Sequence, residues 1–353
     1  MTRDPICGME AESEQFNFEI GGKKYFFCSQ GCLEKFKKSS DEGSGKLEVH
    51  DLVIVGAGPA GLTAAVHASV LKISTLLITK DIGGQAVDNA KIKNYMGFDF
   101  ISGKELAEKF ENQFLHEHYL EHKIDEVVKI NRKGGIFEVL TKEAASVTAY
   151  ALIIATGIKQ RTLGVPGEDK FMRRGVSYYP VQDTALFKGM VVVVVGGGNS
   201  GVQSAIEFRN SGCKVTLVTK DDLTANLDNI GELKKGAAIS VLEGYDVIEI
   251  KGEEKVESVI IQSLDRSVTK EIPCRDVFIQ IGYLPNTGFC QEFIKLNERG
   301  EIIINPDCST NVEGIFACGD VTNCFGKRII IASGEGAKAC LSAKKYLLQM
   351  GIK

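Results

Sequence analysis

With 353 residues, 44% apolar and 25% charged, the chain has the composition of a soluble globular protein and the length for two to three domains. A formal net charge of -4 excludes a general nucleic-acid binder, which needs a basic face. No apolar run approaches the roughly 18 residues of a membrane span, and Met1-Thr-Arg-Asp-Pro-Ile-Cys7 lacks a charged-then-apolar leader, so a cytoplasmic protein is expected. Ten cysteines are too sparse for a disulfide scaffold and read as ligands, redox groups or buried thiols.

Residues 1–38 are unlike the rest of the chain. They open on Asp4-Pro-Ile-Cys7-Gly-Met9, turn at Gly21-Gly22 and close on Tyr25-Phe-Phe-Cys28-Ser-Gln-Gly-Cys32-Leu-Glu-Lys-Phe36. A spacing of four puts Cys28 and Cys32 on one helical face, and Cys7, beside the turn-formers Pro5 and Gly8, can fold back to join them. Three thiolates suit Zn(II), Cu(I) or Hg(II), and a metal would help so small a piece fold. The pattern D-P-x-C-G-M followed by Y-F-x-C-S-x-x-C resembles the YHS family, close to the TRASH-type cysteine modules. That resemblance implies metal binding at Cys7, Cys28 and Cys32, with a fourth ligand unidentified. A structural knob, a metal-delivery or sensing module and a redox-active thiol pair all stay open. Residues 39–48, polar and rich in Gly and Ser, read as a flexible linker.

Asp51-Leu-Val-Ile-Val-Gly56-Ala-Gly58-Pro-Ala-Gly61-Leu is a β-branched run ending in G-x-G-x-x-G and entering a helix, the cradle of a dinucleotide. A second strand is expected over Ser74–Thr79. Thr79-Lys80 stands where an acid usually meets the adenosine ribose. Ile82-Gly83-Gly84-Gln85 and Lys93-Asn94-Tyr95-Met-Gly97-Phe98 come next, then an amphipathic helix from about Lys104 to His118, then strands from about Ile124 to Tyr150 leading into Ala155-Thr156-Gly157. A second cradle arrives at Met190-Val-Val-Val-Val-Val195-Gly196-Gly-Gly198-Asn199-Ser200-Gly201, repeating the first at constant offset. Two nucleotide-binding βαβ units in one chain suggest a flavin and a nicotinamide that exchange electrons. Of the five histidines none forms a triad.

I-G-G-Q, x-N-Y-x-G, A-T-G, Gly164-Val-Pro-Gly167-Glu168, Arg174-Gly-Val-Ser-Tyr178, Ile281-Gly-Tyr-Leu-Pro285-Asn286-Thr287 and Gly314-Ile-Phe-Ala-Cys-Gly319-Asp320-Val321 together resemble the low-molecular-weight thioredoxin reductases over residues 50 to 353. The fold class this implies is α/β. It has two Rossmann-like domains, an FAD domain of residues 49–161 and 285–353 with an NAD(P) domain of 162–284 inserted, preceded by the small Cys-rich α+β metal module. The resemblance further implies FAD held by Gly56, Gly58, Gly61, Gly83, Gly84, Gln85, Asn94, Gly157, Gly319, Asp320, Lys327 and Arg328. The nicotinamide nucleotide would lie on Gly196, Gly198, Asn199, Ser200, Gly201 and Lys220. Members of the family are usually homodimers.

Two departures bear on function. Where these reductases carry C-x-x-C, this chain reads Tyr179-Pro-Val-Gln182, so no internal dithiol can relay electrons. Asp183 keeps the place of the proton-donating acid without a thiolate beside it, and Tyr178 or Tyr179 is positioned to cover the flavin face. After the second cradle, Lys220 alone replaces the basic cluster that grips a 2′-phosphate, and Asp221 suits a free ribose hydroxyl, so NADH is favoured over NADPH. Cys318 and Cys324, flanking Asp320, read as buried thiols or a local redox pair. The leading expectation is an FAD-dependent NAD(P)H oxidoreductase that passes electrons from flavin directly to a redox protein such as ferredoxin, a quinone, oxygen or a metal. The alternatives are a thioredoxin-type reductase using relocated cysteines and a metal-sensing flavoprotein.

Overall fold

The computed structural model describes residues 16–20, 23–34, 49–88, 92–115, 117, 119–178, 184–235 and 239–352. These residues fall into two compact units, Met1–Ile158 with Pro285–Lys353, and Lys159–Leu284. At the N-terminus β1 (Asn17–Ile20) and β2 (Lys23–Phe26) pair antiparallel, and a helical turn over 30–34 comes after them; Phe27 and Leu33 are buried.

The body of the first unit starts with β3 (Val49–Ala57), α1 (Pro59–Val70) and β4 (Thr75–Ile82), a strand–helix–strand in which β3 and β4 are parallel. Next come α2 (Gly103–Leu115), β5 (Leu120–Ile124), β6 (Val127–Lys133), β7 (Ile136–Thr141) and β8 (Ser146–Ile154). The sheet runs β5-β4-β3-β8-β7-β6. Successive side chains of a strand point to opposite faces, and both faces here are covered. Thus Leu52 and Ile54 enter one core with Ala151 and Ile153, while Val53 and Val55 enter the other with Leu152 and Ile154.

Strand β4 runs three residues beyond the expected end at Thr79. After a register shift at Val55/Ala57, Ala57 pairs with Ile82, and Gly83 N–H donates to the Ala57 carbonyl at 2.8 Å, so the ladder carries the polar Lys80 and Asp81 with it. Helix α2 ends at Leu115, short of His118, which with His116 lies outside the described residues.

The chain passes through β9 (Ile158–Gln160) into the second unit. This holds β10 (Val176–Ser177), β11 (Val191–Val195), α3 (Asn199–Asn210), β12 (Lys214–Thr219), α4 (Leu227–Leu233), β13 (Ile239–Glu243), β14 (Tyr245–Lys251), β15 (Ser258–Ser263), β16 (Thr269–Pro273) and β17 (Asp276–Ile279), and β18 (Tyr283–Pro285) leads out. A parallel sheet of order β10-β17-β11-β12-β13 carries the second βαβ unit, and β14-β15-β16 form a separate antiparallel sheet. The Val191–Val195 run again splits by alternation, Val193 and Val195 to one core, Val192 and Val194 to the other.

Back in the first unit, β19 (Ile315–Ala317) pairs parallel with the last residues of β8, whose first residues pair antiparallel with β7. Helix α5 (Ile329–Gln349) then closes over α1. A Cβ on Gly336 would fall 2.1 Å from the Ala60 carbonyl oxygen, which shows how tightly the two helices pack. Among the described residues no helix is long and apolar enough to cross a membrane.

Candidate functional site

In the first unit four separated loops converge on the turn between β3 and α1. Gly56 has φ +102°, and a Cβ there would lie 2.5 Å from the Ala155 carbonyl oxygen, which brings Ala155-Thr156-Gly157 against the turn. The added Cβ of Gly84 would lie 3.1 Å from Gly58 Cα, and that of Gly319 2.9 Å from Ala60 Cβ, which brings in the I-G-G-Q and G-D loops. Gln85 donates its side-chain amide to the Ile158 carbonyl. Thr156 Oγ1 donates to the Asn286 carbonyl and Asn286 Nδ2 to the Thr156 carbonyl, both at 2.8 Å, tying A-T-G to P-N-T.

At the centre, Gly58 has open space around its missing side chain, and it caps α1 with backbone alone, with Pro59 at the first helical position. An uncapped helix N-terminus beside a space that any side chain would fill fits the pyrophosphate of FAD. Asp320 follows Gly319 in a short 3₁₀ turn over Gly319–Val321. Burial pushes its carboxyl up, the ammonium of Lys327 and guanidinium of Arg328 draw it back, and Glu335 adds to the rise.

Lys327 and Arg328, expected together at the flavin, are engaged differently. Lys327 Nζ sits 3.0 Å from Glu301 Oε1, a buried carboxylate, and donates to the carbonyls of Asp320 and Thr322. Arg328 is exposed, immediately before α5, a helix that has no side-chain cap. Asn94 is exposed on the segment that closes with an Ile92–Ile101 bridge. Two acids here carry no motif that could have flagged them. Glu335 accepts the Gly319 N–H at 3.0 Å and so holds the turn bearing Asp320, and Glu301 holds Lys327.

The second unit repeats the geometry. The Cβ position of Gly201 lies 1.9 Å from the Gly196 carbonyl oxygen, so helix α3 packs directly on the turn, and Gly198 is open save for Thr224 Oγ1 at 3.9 Å. Asn199 Oδ1 accepts from Asn226 N at 2.8 Å, Ser200 is exposed, and Lys220 Nζ pairs with Asp246 Oδ2 at 2.8 Å. This second open, side-chain-free turn fits a nicotinamide dinucleotide. Tyr178 is buried in the core of this unit, and its hydroxyl donates to Glu168 Oε1 at 2.5 Å. Burial first, then Glu168, hold that hydroxyl above the ordinary tyrosine range. The physical reason is local, since Glu168 also collects the N–H groups of Leu163, Gly164 and Val165 and needs Tyr178 to complete its shell. Tyr179, Gln182 and Asp183 lie outside the described residues.

In the N-terminal piece Cys28 Sγ and Cys32 Sγ are 3.8 Å apart, and Cys32 N donates to Ser29 Oγ. Two thiolates on a tetrahedral ion with bonds of about 2.3 Å stand about 3.8 Å apart, so this pair fits two corners of a zinc-type site. Cys7 is outside the described residues, and among those described no group of three or more His, Cys, Asp or Glu side chains is placed to hold a metal.

The cysteines of the two larger units are poor nucleophiles. Burial pushes Cys274, Cys290, Cys308 and Cys340 up to about 12, lifts Cys318 well above its usual range and raises Cys213. Cys324, half-buried, is pushed up to about 11 by burial and then by Glu335. Burial holds the Cys318 thiol in its protonated form, and the thiolate is the nucleophile, so a Cys318–Cys324 relay is disfavoured at its buried end. Iodoacetamide at pH 8 is therefore expected to leave Cys213, Cys274, Cys290, Cys308, Cys318 and Cys340 unmodified in the native protein and to modify all six in urea, as read by peptide mass. Native labelling at any of them would contradict the burial described.

A family model described as pyridine nucleotide-disulphide oxidoreductase matches residues 50–338, and a YHS domain model matches residues 2–46. The chain is 36% identical to an alkyl hydroperoxide reductase subunit of Escherichia coli over 89% of its own length and 61% of that protein's. It is 35% identical to an NADH dehydrogenase of Ferdinandcohnia aciditolerans over 85% of its length and 58% of that protein's. It therefore spans about 60% of the length of these curated relatives. Among solved structures, thioredoxin reductase from Streptococcus pyogenes aligns with a TM-score of 0.74 at 36% identity, over 86% of this chain and all of that one.

Proposed function

The chain belongs to the pyridine nucleotide-disulphide oxidoreductase family, and from that premise we propose that it takes a hydride from NADH onto FAD and passes the electrons directly from flavin to an acceptor outside the chain. The observation that carries this reading is the sequence Tyr179-Pro-Val-Gln182 where thioredoxin reductases keep their dithiol, with no cysteine anywhere between Cys32 and Cys213. An NADH dehydrogenase among the relatives agrees with the donor. The residue domains in this reading are an FAD domain of 49–161 and 285–353, an NAD domain of 162–284 and a metal module of 1–38.

When bound, FAD supplies a ring that accepts a hydride and gives up electrons singly or in pairs. The protein's part is to place and polarise. The bare N-terminus of α1 at Gly58 receives pyrophosphate, and the corresponding turn at Gly198 receives that of the nicotinamide nucleotide. Arg328 and the N-terminus of α5 would supply positive potential to stabilise a reduced, anionic flavin, now that Lys327 is committed to Glu301. Cys28 and Cys32, joined by Cys7, would hold a thiophilic cation on the N-terminal module.

The test is an anaerobic titration of FAD-loaded protein with NADH and, separately, NADPH. Stoichiometric bleaching of the visible flavin band by NADH at concentrations at least tenfold below those needed for NADPH is expected, with re-oxidation on adding ferredoxin, quinone or oxygen and no added dithiol. Bleaching by neither nucleotide, or re-oxidation that requires a dithiol protein, would overturn the reading.

A further inference from the structure

The loop after β12 carries more charge than its own residues supply. Glu243 ends β13, Gly244 turns with φ +76°, and Asp246 lies at the start of β14, so the two acids of Glu243-Gly-Tyr-Asp246 come back against residues 220–223. Asp246 Oδ2 takes the Lys220 ammonium at 2.8 Å, and Glu243 Oε1 accepts the Leu223 N–H at 3.2 Å. Asp221 and Asp222 between them are exposed. The same loop is laced to the glycine turn: Thr224 N–H donates to the Gly197 carbonyl at 2.9 Å and Asn226 N–H to Asn199 Oδ1 at 2.8 Å. The segment after the second strand of a dinucleotide βαβ unit meets the adenosine ribose. Four carboxylates and one already-paired ammonium therefore gather on that segment.

We infer that Asp246, with Glu243, determines nucleotide selectivity by withholding Lys220 from a 2′-phosphate and setting a negative field where that phosphate would sit. A free ribose hydroxyl meets no such repulsion and finds an acceptor in Asp221. The inference rests on the NADH reading and adds residues about twenty-five positions beyond the strand end where selectivity is normally sought.

The test is isothermal titration of NAD⁺ and NADP⁺ into flavin-loaded parent protein, Asp246→Asn, and Asp246→Asn combined with Lys220→Ala, at two salt concentrations. In Asp246→Asn the NADP⁺ to NAD⁺ affinity ratio is expected to rise about tenfold at the lower salt concentration and by less at the higher, because the freed ammonium and a lost repulsion act on the added phosphate charge and salt screens both. Removing Lys220 as well is expected to cancel at least half of that rise on a logarithmic scale. A parent protein that prefers NAD⁺ with an unchanged ratio in Asp246→Asn would overturn this inference and leave the donor reading standing. Tighter binding of NADP⁺ by the parent, or binding of neither nucleotide, would overturn both.

Discussion

Gly61→Ala is expected to purify nearly free of flavin, with the ratio of visible flavin absorbance to protein absorbance at least tenfold below that of the parent protein. The added methyl would lie 1.8 Å from the Gly56 carbonyl oxygen and 2.9 Å from its carbon, both backbone atoms. Gly56 cannot retreat, since its own outer side is closed by the Ala155 carbonyl and its φ is +102°. Helix α1 must therefore lift from β3, which displaces the N–H groups proposed to receive pyrophosphate, at a packing cost of about 1–3 kcal/mol before any loss of cofactor. Gly201→Ala makes the matching collision, 1.9 Å from the Gly196 oxygen, in the second unit. That variant is expected to keep its flavin and lose bleaching by NADH. Full flavin content in Gly61→Ala would remove the first turn from the cofactor site.

The second large effect belongs to Lys327→Met. Its side chain is four-fifths buried and its ammonium meets Glu301, whose side chain is only 6% exposed. Truncating one partner of such a pair leaves the other as an uncompensated buried charge, which costs about 3–5 kcal/mol. Asn297 Nδ2, at 2.7 Å from Glu301 Oε2, remains, but it is a neutral donor. The lost donors to the Asp320 and Thr322 carbonyls also loosen the turn that presents Asp320. Urea unfolding should show the midpoint falling steeply, and Glu301→Gln added to Lys327→Met should restore much of the loss because the stranded charge is then gone. A change below about 1 kcal/mol in the single variant would mean that Lys327 is not bound into the pair, and would return it to the flavin as the sequence motif suggests.

Both predictions start from features with different legibility. The glycine turns were readable because G-x-G-x-x-G after a β-branched run has one compact solution, and the close contacts at Gly61 and Gly201 are that solution expressed in distances. Alternation along Leu52–Val55 and Val192–Val195 likewise comes from strand geometry alone. The destination of Lys327 was not readable. Its partner Glu301 lies on an irregular stretch 26 residues earlier, and no periodicity links a loop cation to a loop anion. The overrun of β4 through Lys80 and Asp81 was hidden for a similar reason: the residues look like a turn, and only the ladder to Ala57 holds them extended. The capture of Tyr178 was not readable either, because the carboxylate that holds it stands ten residues away behind a proline-glycine turn.

The divided pairing of β8 bears on how the chain is made. Its Ser146–Ala149 half can find β7 as soon as both leave the ribosome, but the edge at Leu152–Ile154 waits for Ile315–Ala317. Everything from Lys159 to Leu284 is synthesised in between. The inserted unit is thus complete, with its own cores, while the first still presents an unsealed parallel edge and an apolar α1 not yet covered by α5. Nascent chains stalled between residues 285 and 315 expose a strand edge of the kind that recruits chaperones or neighbouring chains. Of the two units, the interrupted one can close only after the inserted one has been made, and its last strand pairing is the one that spans the longest stretch of chain.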